Sequence, residues 1–412
     1  MPNDATYVIV GASLAGAKAA ETLRAEGFDG AVTLIGEETE LPYERPALSK
    51  DYLQGKAERE TIYVHPREWY AAAGIVLRLG TRAVSIDRAG HHVALADGSR
   101  VPFAKLLLTT GSSPRVLPVP GAGLDGVLYL RTVGDSDRIK AAFGRAARVA
   151  VIGAGWIGLE TAAAARMAGV DVTLLEAAEL PLLHVLGPEA ARIFATLHRQ
   201  HGVDLRFGAE VAEISGTDGR VTGVRLADGS RIEADAVIVG VGITPNTQLA
   251  EAGGLEVGNG IVVDAQLRSS DPDIYAAGDV ANAFHPLFGK HIRVEHWANA
   301  LNQPQAAARA MIGQGVSYDR VPYFYTDQYD LGMEYSGYVE PGGYREVVFR
   351  GDVEGREFVA FWLDADARVL AGMNVNVWDV NAAIQALVRA ARPVDPAALR
   401  DPGTSLDSLI AS

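Results

Sequence analysis

The chain has 412 residues, 48% of them apolar, with 45 glycines, no cysteine and a formal net charge of −14. That length exceeds one ordinary core and predicts two or three domains. The lack of cysteine excludes disulfide scaffolds, thiolate metal sites, protein-bound iron–sulfur clusters and thiol catalysis, and the acidic balance argues against bulk nucleic-acid binding.

The first residues, Met1-Pro2-Asn3-Asp4, carry no basic n-region, and no run reaches the roughly 18–20 apolar residues that span a bilayer. A soluble, cytoplasmic chain is expected. Tyr7–Val10 reads as a short apolar strand that runs into Gly11-Ala12-Ser13-Leu14-Ala15-Gly16 and an Ala-rich helix to about Arg24. A second strand, Ala31–Ile35, ends at Gly36-Glu37. Val93–Arg100 reads as a hairpin with an Asp97-Gly98 turn, followed by an apolar strand, Leu106–Thr109. The same order then recurs. Val149–Ile152 leads into Gly153-Ala154-Gly155-Trp156-Ile157-Gly158, a helix to about Met167 and the strand Asp171–Leu175, ending at Glu176. Val224–Arg231 repeats the hairpin around Asp228-Gly229, and Ala236–Val239 repeats the strand, with the Gly-rich exit Gly240-Val241-Gly242. A repeat on this scale predicts two related α/β domains rather than a solenoid. Ser112–Pro120 and Thr244–Asn246 read as crossings between them. Ile274–Val280 is a strand running into Gly278-Asp279, with a helix expected next, and Glu295–Ala300 opens a further helix. After about Val321, Tyr and Phe cluster, strands follow at Tyr344–Phe349 and Phe358–Trp362, and a small α+β domain is expected. From Pro396 a loosely held tail is expected.

The two Gly-rich turns carry the chemistry. A strand–turn–helix with small residues lets backbone N–H groups and the helix N-terminus approach a pyrophosphate, and an acid after the next strand can accept from ribose hydroxyls. Gly153, Gly155, Gly158 and Glu176 meet the whole pattern, whereas Gly11, Ser13, Gly16 and Glu37 have Ser13 at the middle position. Glu176 disfavours a 2′-phosphate, which points to NADH rather than NADPH. Two dinucleotide sites in one chain suggest FAD in one and NAD in the other. His91, His92, His184, His285, His291 and His296 show no metal-ligand spacing, no metal is expected, and there is no Gly-x-Ser-x-Gly nucleophile elbow.

Three segments go beyond the turns: Arg45-Pro46-Ala47-Leu48-Ser49-Lys50, Ala277-Gly278-Asp279 and Phe324-Tyr325-Thr326-Asp327-Gln328-Tyr329. With them, nearly the whole chain resembles the pyridine-nucleotide disulfide-oxidoreductase superfamily, and within it the putidaredoxin-reductase-like ferredoxin reductases of bacterial oxygenase systems. Where that family usually has a Trp, Tyr323–Tyr325 supplies Tyr and Phe. The resemblance implies two Rossmann-like domains plus a small α+β C-terminal domain: 1–113 with 245–320 for FAD, 114–244 for NAD, and 321–412. It implies that Gly11, Ser13, Leu14, Ala15 and Gly16 hold the FAD pyrophosphate, Glu37 the adenosine ribose and Ala83 the adenine. Pro46 and Lys50 belong near the isoalloxazine, Arg131 and Asp279 at the ribityl–phosphate region, Arg45 and Gly278 among the other FAD contacts, and Trp297 at the flavin edge. Gly153, Gly155, Trp156, Ile157, Gly158, Glu160, Glu176 and Gly242 are implied for NAD, with Glu160 near the nicotinamide. Lys50, Glu160 and Trp297 are the expected catalytic positions.

The implied reaction takes a hydride from NADH and releases electrons singly to a [2Fe–2S] ferredoxin serving a cytochrome P450 or a Rieske-type oxygenase. Lys50 is expected to stabilise the reduced flavin. Having no cysteine, the chain cannot run the disulfide or sulfenate chemistry of other relatives, so electrons must leave the flavin directly. An acidic ferredoxin needs a local basic patch, for which Arg293, Arg309 and Arg320 are the candidates. A monomer is expected. Alternatives are a rubredoxin reductase, a reductase of a small acceptor such as a quinone or monodehydroascorbate, and an NAD-responsive signalling protein resembling apoptosis-inducing factor.

Overall fold

A computed structural model describes residues 5–411. Met1-Pro2-Asn3-Asp4, read above for a leader, lies outside them. The chain divides into two compact units. The first comprises Met1–Arg45, Arg59–Ser113 and Thr244–Pro322; the second comprises Pro46–Glu58, Pro114–Ile243 and Tyr323–Ser412. The segment Pro46–Glu58, expected with the first dinucleotide domain, thus belongs with the second unit.

Short strands buried on both faces form a parallel sheet in each unit, as continuous apolar runs require. In the first unit the spatial order is Ile274–Ala276, Lys105–Leu108, Thr6–Val10, Ala31–Ile35, Ile75–Arg78. Val8, Ile9, Val32, Leu34, Leu106 and Leu107 are all fully buried. The parallel register Thr6↔Ala31 to Val10↔Ile35 brings Gly11 and Gly36 to the same carboxyl end of the sheet. In the second unit the order is Asp204–Phe207, Asp171–Glu176, Arg148–Ile152, Ala236–Val239, Val127–Tyr129, again parallel. This is the doubly wound pattern the repeat predicted. Each hairpin gains a strand the sequence did not announce. Ala83–Asp87 joins His92–Leu95 and Arg100–Pro102, and Val211–Thr217 joins Arg220–Leu226 and Arg231–Glu233.

The second unit also holds a five-stranded antiparallel sheet, in the order Tyr323–Gln328, Leu331–Gly337, Val369–Val375, Glu357–Leu363, Glu346–Asp352. Its core is Phe358, Phe361, Trp362 and Met373, each fully buried. The Trp362 indole N–H donates to the Leu186 carbonyl at 2.9 Å, at a break in the helix Leu183–Gln200 where Gly187 has φ 76°.

Two expectations are corrected. No helix follows Gly278-Asp279. Ala281–His285 is a strand, with alternating burial, paired with Gly260–Val263 and Lys290–Ile292. The residues from Pro396 are not a loose tail either. Asp395 caps a helix at Pro396–Arg400, a second helix spans Leu406–Ala411, and Leu399 and Leu406 are buried. Arg350 donates to the carbonyls of Asp401 at 2.6 Å and Thr404 at 2.7 Å, which ties the segment to the sheet.

Candidate functional site

Each Gly-rich turn is shaped by what a side chain would strike. Gly11 has φ 119°, and a Cβ there would lie 2.1 Å from the Thr109 carbonyl oxygen. A Cβ on Gly16 would lie 2.1 Å from the Gly11 oxygen, so glycine lets the helix Leu14–Ala25 close on its strand. The second turn repeats this. Gly153 has φ 98°, and a Cβ there would lie 2.4 Å from the Gly240 oxygen; one on Gly158 would be 1.9 Å from the Gly153 oxygen. The middle positions differ in kind. Gly155 has φ −76°, and a Cβ added to it would have nothing within 4 Å, while Ser13 sits in extended backbone at φ −118°. Neither needs glycine for its backbone, which explains how a serine fits the first turn. Both residues are helix N-caps without a side-chain cap bond, and neither helix has an acid in its first turn. The N-terminal N–H groups and helix dipoles therefore face an approachable space suited to an anion. These cradles fit a dinucleotide pyrophosphate.

Around the first turn, the first unit gathers most of the residues expected for FAD. Leu14 and Ala15 are buried in the opening helical turn, and Glu37 is exposed just past its strand. Ala83 starts a strand, opposite Leu95. Arg45 donates to Glu38 at 2.9 Å and to the Tyr43 hydroxyl at 3.1 Å. Gly278, at φ 80°, donates its N–H to Gln303 at 2.8 Å, and Asp279 accepts from the Ser112 hydroxyl at 2.8 Å. The Trp297 indole donates to Glu44 at 3.0 Å. Pro46, Lys50 and Arg131 belong to the second unit. Arg131 directly precedes the Thr132–Asp135 capping box, and its own backbone N–H donates to Asp135 at 3.0 Å.

The residues expected for NAD all lie in the second unit. Trp156 packs between Phe194 and Phe324, with ring centroids 5.5 and 5.0 Å away, so its side chain is partly buried against the core while Ile157 remains 41% exposed. Gly242 is exposed at φ 98°, and its carbonyl accepts from Arg115 at 2.9 Å. The Glu176 carboxylate accepts from the backbone N–H of Ala154 at 2.6 Å and of Ala178 at 2.9 Å, bracing the turn from within.

The densest polar cluster centres on Glu160, which is 4% exposed. Lys50 Nζ donates to it at 2.6 Å, the Thr326 hydroxyl donates to the same oxygen at 2.6 Å, and the Ser49 hydroxyl donates to the other oxygen. Lys50 also lies 5.4 Å over the Tyr325 ring. Such a buried pair is tolerated because further donors saturate the carboxylate. Asp327 lies nearby on the exposed face of its strand, and desolvation raises its carboxyl above the usual range, against the opposing pull of Lys50. Beyond Thr326 the bonding continues. Gln328 Nε2 donates to Thr326 at 3.1 Å, and His198 Nε2 meets Gln328 Oε1 at 2.8 Å. Thr326 and Gln328 stood in a motif singled out from the sequence but received no role there. Nothing in the sequence marked His198.

One docking candidate is corrected. Arg293 is only 8% exposed, paired with Glu295 and hydrogen-bonded to Asn259 and the Asp279 carbonyl, so it serves the interior. Arg309 pairs with Glu26 at 2.8 Å and is 40% exposed, and Arg320 donates to Asn302 at 2.9 Å. Both line a cleft of about 310 Å³ with Gln305 and Tyr318.

Residues 5–304 match the family described as pyridine nucleotide-disulphide oxidoreductase, and residues 323–410 match the reductase C-terminal family. The chain belongs to the pyridine nucleotide-disulphide oxidoreductase family. The family brings with it the two cofactors expected above, FAD and NADH, and oxidoreductase chemistry. The chain is 41% identical, over 98% of its length and 99% of the relative's, to the ferredoxin–NAD(+) reductase component of an anthranilate 1,2-dioxygenase system from Burkholderia cepacia. It superimposes on the ferredoxin reductase for the CYP199A2 system of Rhodopseudomonas palustris with a TM-score of 0.94 and 37% identity, covering 98% of this chain and 99% of that one. It matches the covalent putidaredoxin reductase–putidaredoxin complex equally well, at TM-score 0.94 and 38% identity, covering 99% and 98% of the two chains. Family membership is set by the fold and the turns, and not by the dithiol in the family's description, since this chain has no cysteine. Among the described residues no helix is long and apolar enough to cross a membrane, and no group of three or more His, Asp or Glu is placed to hold a metal ion.

Proposed function

We propose that this chain is an FAD-dependent NADH:ferredoxin oxidoreductase that feeds single electrons to a [2Fe–2S] ferredoxin of a cytochrome P450 or Rieske-type oxygenase system in the cytoplasm. The observation that carries the reading is the combination of two uncapped phosphate turns with a complete absence of cysteine. The named systems of the relatives above favour ferredoxin over rubredoxin or a small oxidant as the acceptor.

In this reading, residues 1–113 and 245–320, less Pro46–Glu58, bind FAD, 114–244 bind NADH, and 321–412 complete the protein. Gly11–Gly16 and Gly153–Gly158 present backbone N–H groups to the two pyrophosphates. Bound FAD supplies two-electron acceptance from NADH and one-electron release to the carrier. Lys50 holds a positive charge beside the isoalloxazine, and Glu160 keeps that charge compensated and oriented near the nicotinamide. Glu176 disfavours a 2′-phosphate and so selects NADH. Trp297, fixed by Glu44, covers the flavin edge.

Anaerobic stopped-flow tests the proposal. Reduction by NADH should bleach the yellow protein quickly, and one class of [2Fe–2S] ferredoxin should reoxidise it quickly. Bleaching with reoxidation only by quinones or oxygen would replace the carrier reading with a small-acceptor one. Fast reoxidation by rubredoxin alone would change the partner.

A further inference from the structure

The hydrogen bonds that lead away from Glu160 have only one self-consistent direction. An ionised carboxylate only accepts, so the single Thr326 hydroxyl proton must point at Glu160, 2.6 Å away. Thr326 Oγ1 must then accept from the Gln328 amide NH₂ at 3.1 Å, which turns the Gln328 carbonyl toward His198. That carbonyl, 2.8 Å from His198 Nε2, requires a proton on Nε2. His198 Nδ1 is left as the acceptor nitrogen, buried and without a hydrogen-bond partner among the described residues. A second proton on the ring would have to go there. His198 is fully buried, and burial pushes its imidazole down to about 4, with the nearby His201 acting in the same sense. All the links belong to the second unit, and the side chains of Glu160, Thr326, Gln328 and His198 are all buried.

We propose that Thr326, Gln328 and His198 form a one-way hydrogen-bond chain that holds Glu160 as an oriented carboxylate against Lys50, and that these three are positioning residues for the hydride step. The inference rests on the reading of Lys50 and Glu160 given above. The charged and titratable groups that face Glu160 are Lys50 and Asp327. Those around His198 are His201 and Tyr329, with Arg166 acting on Tyr329. The chain joins three stretches far apart in sequence: the helix after the second phosphate turn, the first strand of the C-terminal sheet and the helix Leu183–Gln200.

The test uses the FAD-loaded protein and two independent readouts. In [¹⁵N]histidine-labelled wild type, the His198 resonances, identified by their loss in His198→Gln, should show a neutral Nε2–H ring that does not titrate between about pH 5.5 and 8. An Nδ1–H ring, or titration near 6.5, would overturn the chain whatever the enzyme's activity. The second readout is the pH dependence of flavin reduction by NADH in Thr326→Val and Thr326→Ser. Valine keeps the shape but removes the donor, which favours the neutral carboxyl, so the acid limb should move up by about one pH unit, a tenfold rate loss on that limb. Serine keeps the donor and should retain the wild-type profile. A valine profile that overlays wild type, or a serine profile as displaced as valine's, would overturn the positioning role. If wild type itself fails to bleach with NADH, the proposed function falls, and the histidine signals still decide the chain's direction.

Discussion

Gly155 and Gly158 of the second turn should fail in opposite ways when a methyl is added. At Gly158 a Cβ would fall 1.9 Å from the Gly153 carbonyl oxygen, a backbone atom that cannot swing aside. Gly158→Ala must therefore displace helix from strand, at a cost of about 1–3 kcal/mol of stability. At Gly155 the backbone is already ordinary, with φ −76°, and a Cβ has nothing within 4 Å. Gly155→Ala should cost at most about 1 kcal/mol, the difference between glycine and alanine at an N-cap. That open space is where the pyrophosphate must approach the N–H groups. Displacing it from one charge-assisted hydrogen bond costs about 2 kcal/mol, or about 30-fold in affinity. Urea unfolding measures the first quantity, and equilibrium titration with NAD⁺ together with the NADH dependence of flavin bleaching measures the second. A folded Gly155→Ala protein that binds NAD⁺ within about twofold of wild type would refute the assignment of this turn to the nucleotide.

Three further outcomes follow from the same geometry. Lys50→Met leaves Glu160 buried without its cation and should lower stability by about 3 kcal/mol, with much of that recovered in Lys50→Met/Glu160→Gln; unchanged flavin potential and hydride-transfer rate in Lys50→Met would sink its assigned role beside the flavin. His198 is neutral when folded, with its pKa lowered to about 4 from 6.5, so its contribution to stability is present above about pH 6.5 and is lost as pH falls toward 4, about 3 kcal/mol at most. His198→Gln should flatten the urea-measured stability profile across that window, and an unchanged slope would contradict the burial argument. Arg309→Glu with Arg320→Glu should weaken ferredoxin binding and reduce its salt dependence, and identical salt titrations for variant and wild type would remove that cleft from the docking surface.

What the sequence disclosed, and what it hid, follows from distance along the chain. The phosphate turns were legible because glycine at φ 119° and 98° is a local demand that leaves its mark on the residue itself. The doubly wound sheets were legible for a similar reason, since a strand buried on both faces needs an unbroken apolar run. Gly278-Asp279 misled because Asp before an apolar stretch resembles an N-cap, and Ala281–His285 alternates in burial while its residues, Ala-Asn-Ala-Phe-His, do not alternate in polarity. Arg293 looked like a surface charge because its partner Asn259 lies 34 residues away. The donors to Glu160 were hidden for the same reason, Thr326 lying 166 residues from it. Pro396 onward looked loose because two short helices anchored by single leucines have little periodicity to show.

The interleaving of the two units has a consequence for how the protein is made. The first unit's parallel sheet cannot be finished until its edge strand Ile274–Ala276 has been synthesised to pair with Lys105–Leu108. At about 5–20 residues per second, the strand Lys105–Leu108 waits on the order of 10–30 seconds for that edge. During that interval the emerging chain presents an unpaired strand to its surroundings, so chaperone supply and translation speed, rather than final stability, should govern how much active protein a cell recovers.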